Sequence, residues 1–193
     1  MRLAFSKLFL GGKPPRTLFI NFFQMRVFTF LLTFFISALA MAQKDSVDMS
    51  APFRKSPVIP SFDLLKTDSS THLTKADISP KHKTLLMFFS PECTHCQHQT
   101  EDMLSAIDSL KDIQIVMATY QPFEEMVAFN QKYGIEKYSN IKLGRDTKYF
   151  LPPYYRMKSL PFLALYDTKG NYVASFEGNQ KVATLLDAFN QKK

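Results

Sequence analysis

Apolar residues fall into distinct patterns along this 193-residue chain. Leu85-Leu86-Met87-Phe88-Phe89 and Ile113-Gln114-Ile115-Val116-Met117-Ala118 run almost without polar alternation, which predicts strands buried on both faces. Between them Met103, Leu104, Ile107 and Leu110 recur on one side of a helix, with Glu101, Asp102, Asp108 and Lys111 on the other. After the second run, Phe123, Met126, Val127 and the stretch Asn130 to Tyr133 predict a further helix that stops at Gly134. Strand, helix, strand in that order points to a parallel pair. The end of the chain reads differently. Residues 162–166 and 171–176 are strand-like and are joined by Asp167-Thr168-Lys169-Gly170, which predicts an antiparallel hairpin. Val182, Leu185, Leu186 and Phe189 then repeat at helical spacing. Phe62 and Leu64 add strand-like spacing ahead of the turn-rich Thr67-Asp68-Ser69-Ser70. The fold class is therefore α/β with a mixed sheet.

Composition narrows the reading. With 46% apolar residues and 21% charged, the chain is neither disordered nor collagen-like, and one ordinary domain is expected. The formal charge of +7 suggests nucleic acid until its distribution is read. Residues 1–42 hold Arg2, Lys7, Lys13, Arg16 and Arg26 and no acid, leaving 19 basic and 17 acidic groups elsewhere, a net of +2. No nucleic-acid partner is expected.

The same leader explains its own basicity. Met25-Arg26 precedes an apolar run, Val27 to Leu39, broken only by Thr29, Thr33 and Ser37, and then Ala40-Met41-Ala42. Positive start, apolar core and A-x-A site make a secretory signal peptide, with cleavage expected after Ala42. The run is shorter than the roughly 20 residues that span a bilayer, so membrane contact is expected only if the signal stays uncleaved. Residues 1–24 then read as an upstream extension with the start at Met25, 25–42 as the signal, 43–57 as a flexible lead-in and 58–193 as the domain. Export implies the periplasm or cell envelope, where disulfides persist.

That context turns attention to two cysteines. Ser90-Pro91-Glu92-Cys93-Thr94-His95-Cys96 joins the first buried run to the amphipathic helix, with Ser90 suited to the N-cap and Pro91 to the first helical position. Cys93 then sits in the first helical turn, where unpaired N–H groups and the positive end of the macrodipole favour thiolate over thiol. Cys96 lies one turn along the same face and can attack a mixed disulfide formed at Cys93. A purely structural bridge closing so short a loop contributes only about 2 kcal/mol. Zinc needs a second pair of ligands that the chain lacks, and no cofactor is implied. The alternative of another class is a copper-binding or copper-delivery module on the same cysteines, helped by His98 or His82.

The strand, the C-x-x-C, the long helix and a later Leu160-Pro161 opening the hairpin together resemble the thioredoxin fold from about Val58 to Lys193. The 64 residues between Cys96 and Pro161 are similar to the exported TlpA-like and redoxin branches, which carry an insertion before the cis-proline hairpin and an N-terminal strand extension like Phe62-Asp63-Leu64. The resemblance implies a protein thiol-disulfide oxidoreductase with protein thiols and an envelope redox partner. It also implies a cis Pro161 beside the sulfurs and Leu160 backbone groups that bind a substrate strand. It implies for His95, between the cysteines as in disulfide isomerases, a role in making the disulfide more oxidising. Three positions depart from the family. Glu92 stands for its Trp, while Met87 and Gln99 stand where relatives carry the acid that takes the proton of the second cysteine; Glu101 or a water is the expected substitute. The peroxiredoxin signature is absent, since its Pro would fall at Leu86 or Phe89.

Overall fold

A run of apolar residues with no polar break can only be satisfied by cover on both sides, and Lys83–Phe88 (β3) receives it. The computed structural model of the chain describes residues 50–191. The upstream extension, the signal segment and residues 43–49 of the lead-in therefore lie outside the described residues. β3 runs parallel to Ile113–Thr119 (β4) on one side and antiparallel to Phe162–Tyr166 (β6) on the other. β4 continues in parallel to Ile141–Arg145 (β5), and β6 turns back on Tyr172–Glu177 (β7). Asp63–Leu65 (β1) and His72–Thr74 (β2) complete a mixed seven-stranded sheet in the order β2-β1-β5-β4-β3-β6-β7.

The helices divide between the two faces. Thr94–Ser105 (α2), Phe123–Tyr133 (α3) and Val182–Asn190 (α5) cover one, where Met103, Met126, Phe129, Leu185 and Phe189 pack with Leu85, Met87 and Phe89. Pro52–Lys55 (α1) and Leu151–Tyr155 (α4) cover the other, where Phe53, Leu151 and Tyr155 meet Leu86, Phe88 and Phe162. Gly134 ends α3 in the left-handed conformation, φ 58°, as the sequence predicts. The hairpin turn is held by the Asp167 carboxylate, which accepts from the backbone N–H groups of Lys169 and Asn171.

Four features differ from the sequence expectation. Residues 50–57 of the lead-in pack onto the domain: α1 inserts Phe53, 4% exposed, against Tyr155 and Tyr172 at ring distances of 5.4 and 5.3 Å. One isolated phenylalanine in a short helix carries no period, which is why the stretch reads as loop. The amphipathic helix stops at Ser105, and Ile107–Leu110 is a separate 3-10 turn that keeps Leu110 buried. The insertion region holds β5 and α4, neither of which the apolar pattern marked. Gly144 in β5 reads as a strand breaker, yet a Cβ there would lie 2.7 Å from that of Leu64, so the close approach of β1 requires it.

If α1 belongs to the domain, Phe53→Ala will lower unfolding free energy in urea by about 3 kcal/mol, the usual cost of emptying a buried aromatic site. A change within experimental error would return residues 50–57 to the status of a tail.

Candidate active site

β3 ends at the edge of the sheet from which α2 departs, and the turn between them is tightly tied. Phe89 N–H donates to the Ala118 carbonyl at 2.9 Å, Cys93 N–H to the Ser90 carbonyl at 3.1 Å, and the Gln97 side-chain amide to the Pro91 carbonyl at 2.7 Å. The helix begins at Thr94, so Cys93, not Ser90, is the N-cap. Its φ and ψ of −73° and 113° are those of a cap residue, and its Sγ accepts the Cys96 N–H at 3.4 Å. Sulfur thus stands where a serine or aspartate oxygen ordinarily caps, facing the unpaired donors of the first turn.

The two sulfurs occupy different environments. Cys93 is half-buried, whereas Cys96 is fully buried within the apolar cluster under α2. Both are free thiols. Burial, and after it the hydrogen bond to Cys93, pushes the Cys96 thiol far above its ordinary range, so this sulfur holds its proton. The places where an acid might relieve it do not. Met87 is buried in the core. Gln99, also buried, spends both amide atoms on the Gln180 backbone, donating to its carbonyl at 3.1 Å and accepting from its N–H at 2.7 Å. Glu101 lies five positions beyond Cys96, about 140° around the helix. It is exposed and accepts from the Tyr133 hydroxyl at 3.2 Å. The sequence expectation for Glu101 is therefore corrected by helical geometry.

The register of the sheet brings the proline to the same end. Phe88 pairs with Phe162, which sets Pro161 opposite Phe89, and the Leu160–Pro161 peptide bond is cis. Pro161 is buried and Leu160 half-buried, touching both apolar clusters. A segment the sequence did not single out holds these parts together. Glu177 accepts from Lys158 N–H at 3.2 Å and from the Ser159 hydroxyl at 3.0 Å. Gly178 N–H donates to the Pro161 carbonyl at 2.9 Å, and the Asn179 side chain to the His95 carbonyl at 2.9 Å. With the Gln180–Gln99 pair, residues 177–180 bind the proline loop to the active helix. Short polar residues between a strand and a helix read only as a connection, because their partners lie far away in sequence.

The histidines are dispersed. His95 and His98 are exposed, His82 lies near the Asp112 carbonyl, and His72 is paired with Asp63 at 2.5 Å. Among the described residues no group of three or more His, Cys, Asp or Glu converges on a point. No helix among them is long and apolar enough to cross a membrane.

No family model matches the chain, and no curated protein does either. Solved structures do. The secreted disulfide oxidoreductase of Mycobacterium tuberculosis is 16% identical with a TM-score of 0.56, over 67% of this chain and 95% of that one. StoA of Bacillus subtilis is 20% identical with a TM-score of 0.52, over 68% and 98%. The exposed lipoprotein thioredoxin Etrx1 of Streptococcus pneumoniae is 21% identical with a TM-score of 0.53, over 68% and 100%. The fold is the thioredoxin fold.

The asymmetry of the sulfurs has a direct chemical readout. Because the proton is favoured at Cys96, its thiolate fraction stays small as pH rises through the range where an ordinary thiol ionises. Iodoacetamide at neutral to mildly alkaline pH will modify Cys93 and spare Cys96 in the folded protein, and will modify both in urea. Equal labelling of the folded chain, mapped by peptide mass, would contradict the burial of Cys96.

Proposed function

We propose that this chain is an exported thiol-disulfide oxidoreductase that exchanges disulfides with protein thiols through Cys93 and Cys96. The observation that carries the reading is the pairing of an accessible cap sulfur with a buried, protonated one a single helical turn behind it. Proteins of the same fold described as secreted or surface-exposed redox proteins support the compartment, as does the signal pattern ending at Ala42.

In the reducing direction the Cys93 sulfur attacks one sulfur of a substrate disulfide. A protein–substrate S–S bond forms, the substrate's own bond breaks, and its second sulfur leaves as a thiolate. Cys96 then gives up its proton, which the departing thiolate accepts, and attacks Cys93. The remaining substrate sulfur is released, the substrate has gained two electrons, and the protein is left with a Cys93–Cys96 disulfide. An external dithiol in the envelope restores both thiols by the same exchange in reverse. Leu160 and Pro161 flank the reacting sulfurs and offer the backbone edge on which a substrate strand lies. The copper reading draws on two sulfurs alone, since His82 and His98 do not join them.

Cys93→Ser will abolish the acceleration that the protein gives to insulin reduction by dithiothreitol, and Cys96→Ser will accumulate substrates attached to Cys93 that can be isolated from the envelope. Acceleration that survives Cys93→Ser would refute the exchange mechanism, and tight binding of Cu(I) with no captured substrate would favour the copper module.

His95 lies between the two cysteines in sequence and is exposed. Its proposed role is to favour the reduced form, so the potential measured against glutathione will lie above the roughly −270 mV of thioredoxin and fall in His95→Ala. A value at or below that figure in the unaltered protein would remove the role.

A further inference from the structure

The end of the sheet that carries the cysteines also carries most of the exposed aromatic surface. Phe88, Ala118 and Gly144 lie in one line across β3, β4 and β5, with Phe162 beside Phe88. Two residues past that line, beyond the strand ends, come Ser90, Tyr120 and Asp146, with Leu160 on the far side. Tyr120 is thus one strand away from the turn that presents Cys93. It is 39% exposed, Tyr149 53% and Phe150 38%; the other large apolar side chain so exposed among the described residues is Val58. Tyr120 stacks on Phe88 with ring centres 6.0 Å apart and meets the edge of Tyr149 at 5.1 Å. The strip continues into a cleft of about 400 Å³ lined by Ser61, Asp63, Lys148, Tyr149, Phe150 and Pro153.

The strip is built at some cost. Tyr149 adopts φ 51°, in the left-handed region that a tyrosine ordinarily avoids. The buried Asp146 carboxylate enforces this, accepting from Phe150 N–H at 3.0 Å and Leu151 N–H at 2.7 Å, while its own N–H donates to the Thr119 carbonyl at 2.7 Å. Asp63 and Lys148 at the cleft rim neutralise each other at 2.8 Å. What remains is a fixed aromatic surface with a self-paired rim, at the end of the sheet from which the Cys93 turn departs.

We infer that Tyr120, Tyr149 and Phe150 form a docking strip for an extended polypeptide segment with aromatic or aliphatic side chains near its cysteine. A polypeptide is the occupant because whatever exchanges with Cys93 must bring its flanking residues over this end of the sheet; the inference rests on the thiol-exchange reading in that respect. Apolar flanks follow from the surface itself, since rings at an accessible face gain most by covering apolar partners. The strip selects among cysteine-bearing partners by the residues beside the cysteine.

The test uses full-length protein and two peptides alike except beside a serine that replaces cysteine: one carries Phe and Leu there, the other Ser and Gly. Fluorescence anisotropy will show the apolar peptide bound about tenfold tighter, and Tyr149→Gly will remove that preference while Tyr149→Phe keeps it. Glycine suits the left-handed backbone, so the thermal midpoint of Tyr149→Gly will not fall. Equal binding of the two peptides by the unaltered protein, or a preference that survives Tyr149→Gly, overturns the strip. Sedimentation showing a dimer that Tyr149→Gly splits overturns it in favour of self-association. Because these peptides cannot exchange, a preference found in a protein that fails to reduce insulin sustains the strip and defeats the redox reading instead.

Discussion

The structure depends on β3 being apolar toward both of its faces. Leu85, Met87 and Phe89 project to one side and Leu86 and Phe88 to the other, all buried. A strand of that kind costs free energy wherever either face meets water, so the chain must supply two covering layers and partner strands on both edges. One layer is the set α2, α3 and α5. The other is assembled from whatever the remaining sequence offers: the short α1, the proline-led α4 and a group of aromatic rings that includes Phe53, Tyr155 and Phe162. In its interior the buried Tyr155 and Tyr166 share a 2.5 Å hydroxyl contact, one O–H donating to the other oxygen. The chemistry then sits where β3 emerges, because a strand buried on both faces ends at a fixed place and delivers the following residues to it.

This explains which parts were legible in the sequence. β3, β4, the hairpin and α5 each carry a long unbroken or periodic apolar signal, and the C-x-x-C follows the strongest of them. Elements of the second layer were not legible, since they are short and their burial depends on neighbours far along the chain. Pro152 and Pro153 look like helix breakers, yet they stand second and third in α4, within the first turn, where the N–H has no intrahelical partner to lose. β5 was hidden by Gly144, whose lack of a side chain is a packing requirement that only the proximity of Leu64 reveals. At the site, the cysteines were marked by their spacing after β3, and Pro161 by the resemblance to the thioredoxin fold. The cap position was misplaced by three residues because Ser90 is the better capping type, and its carbonyl instead closes the turn onto Cys93 N–H.

The glutamine at position 99 links stability to chemistry. An acid at that buried position would carry the cost of desolvation unless it were neutral or paired. Gln99 avoids it by making two backbone hydrogen bonds to Gln180, and so fastens α2 to the segment ahead of α5. That segment also grips the Pro161 and His95 carbonyls, so the amide contributes to holding the proline loop against the cysteines. The consequence falls on Cys96, left buried without a side-chain proton acceptor at position 87 or 99. In the proposed exchange, attack by Cys96 then has to wait for a base from outside, and the natural one is the thiolate that the substrate itself releases at Cys93. Resolution is thereby tied to a substrate being present, and a mixed disulfide formed with a poor leaving group persists longer than one formed with a good one.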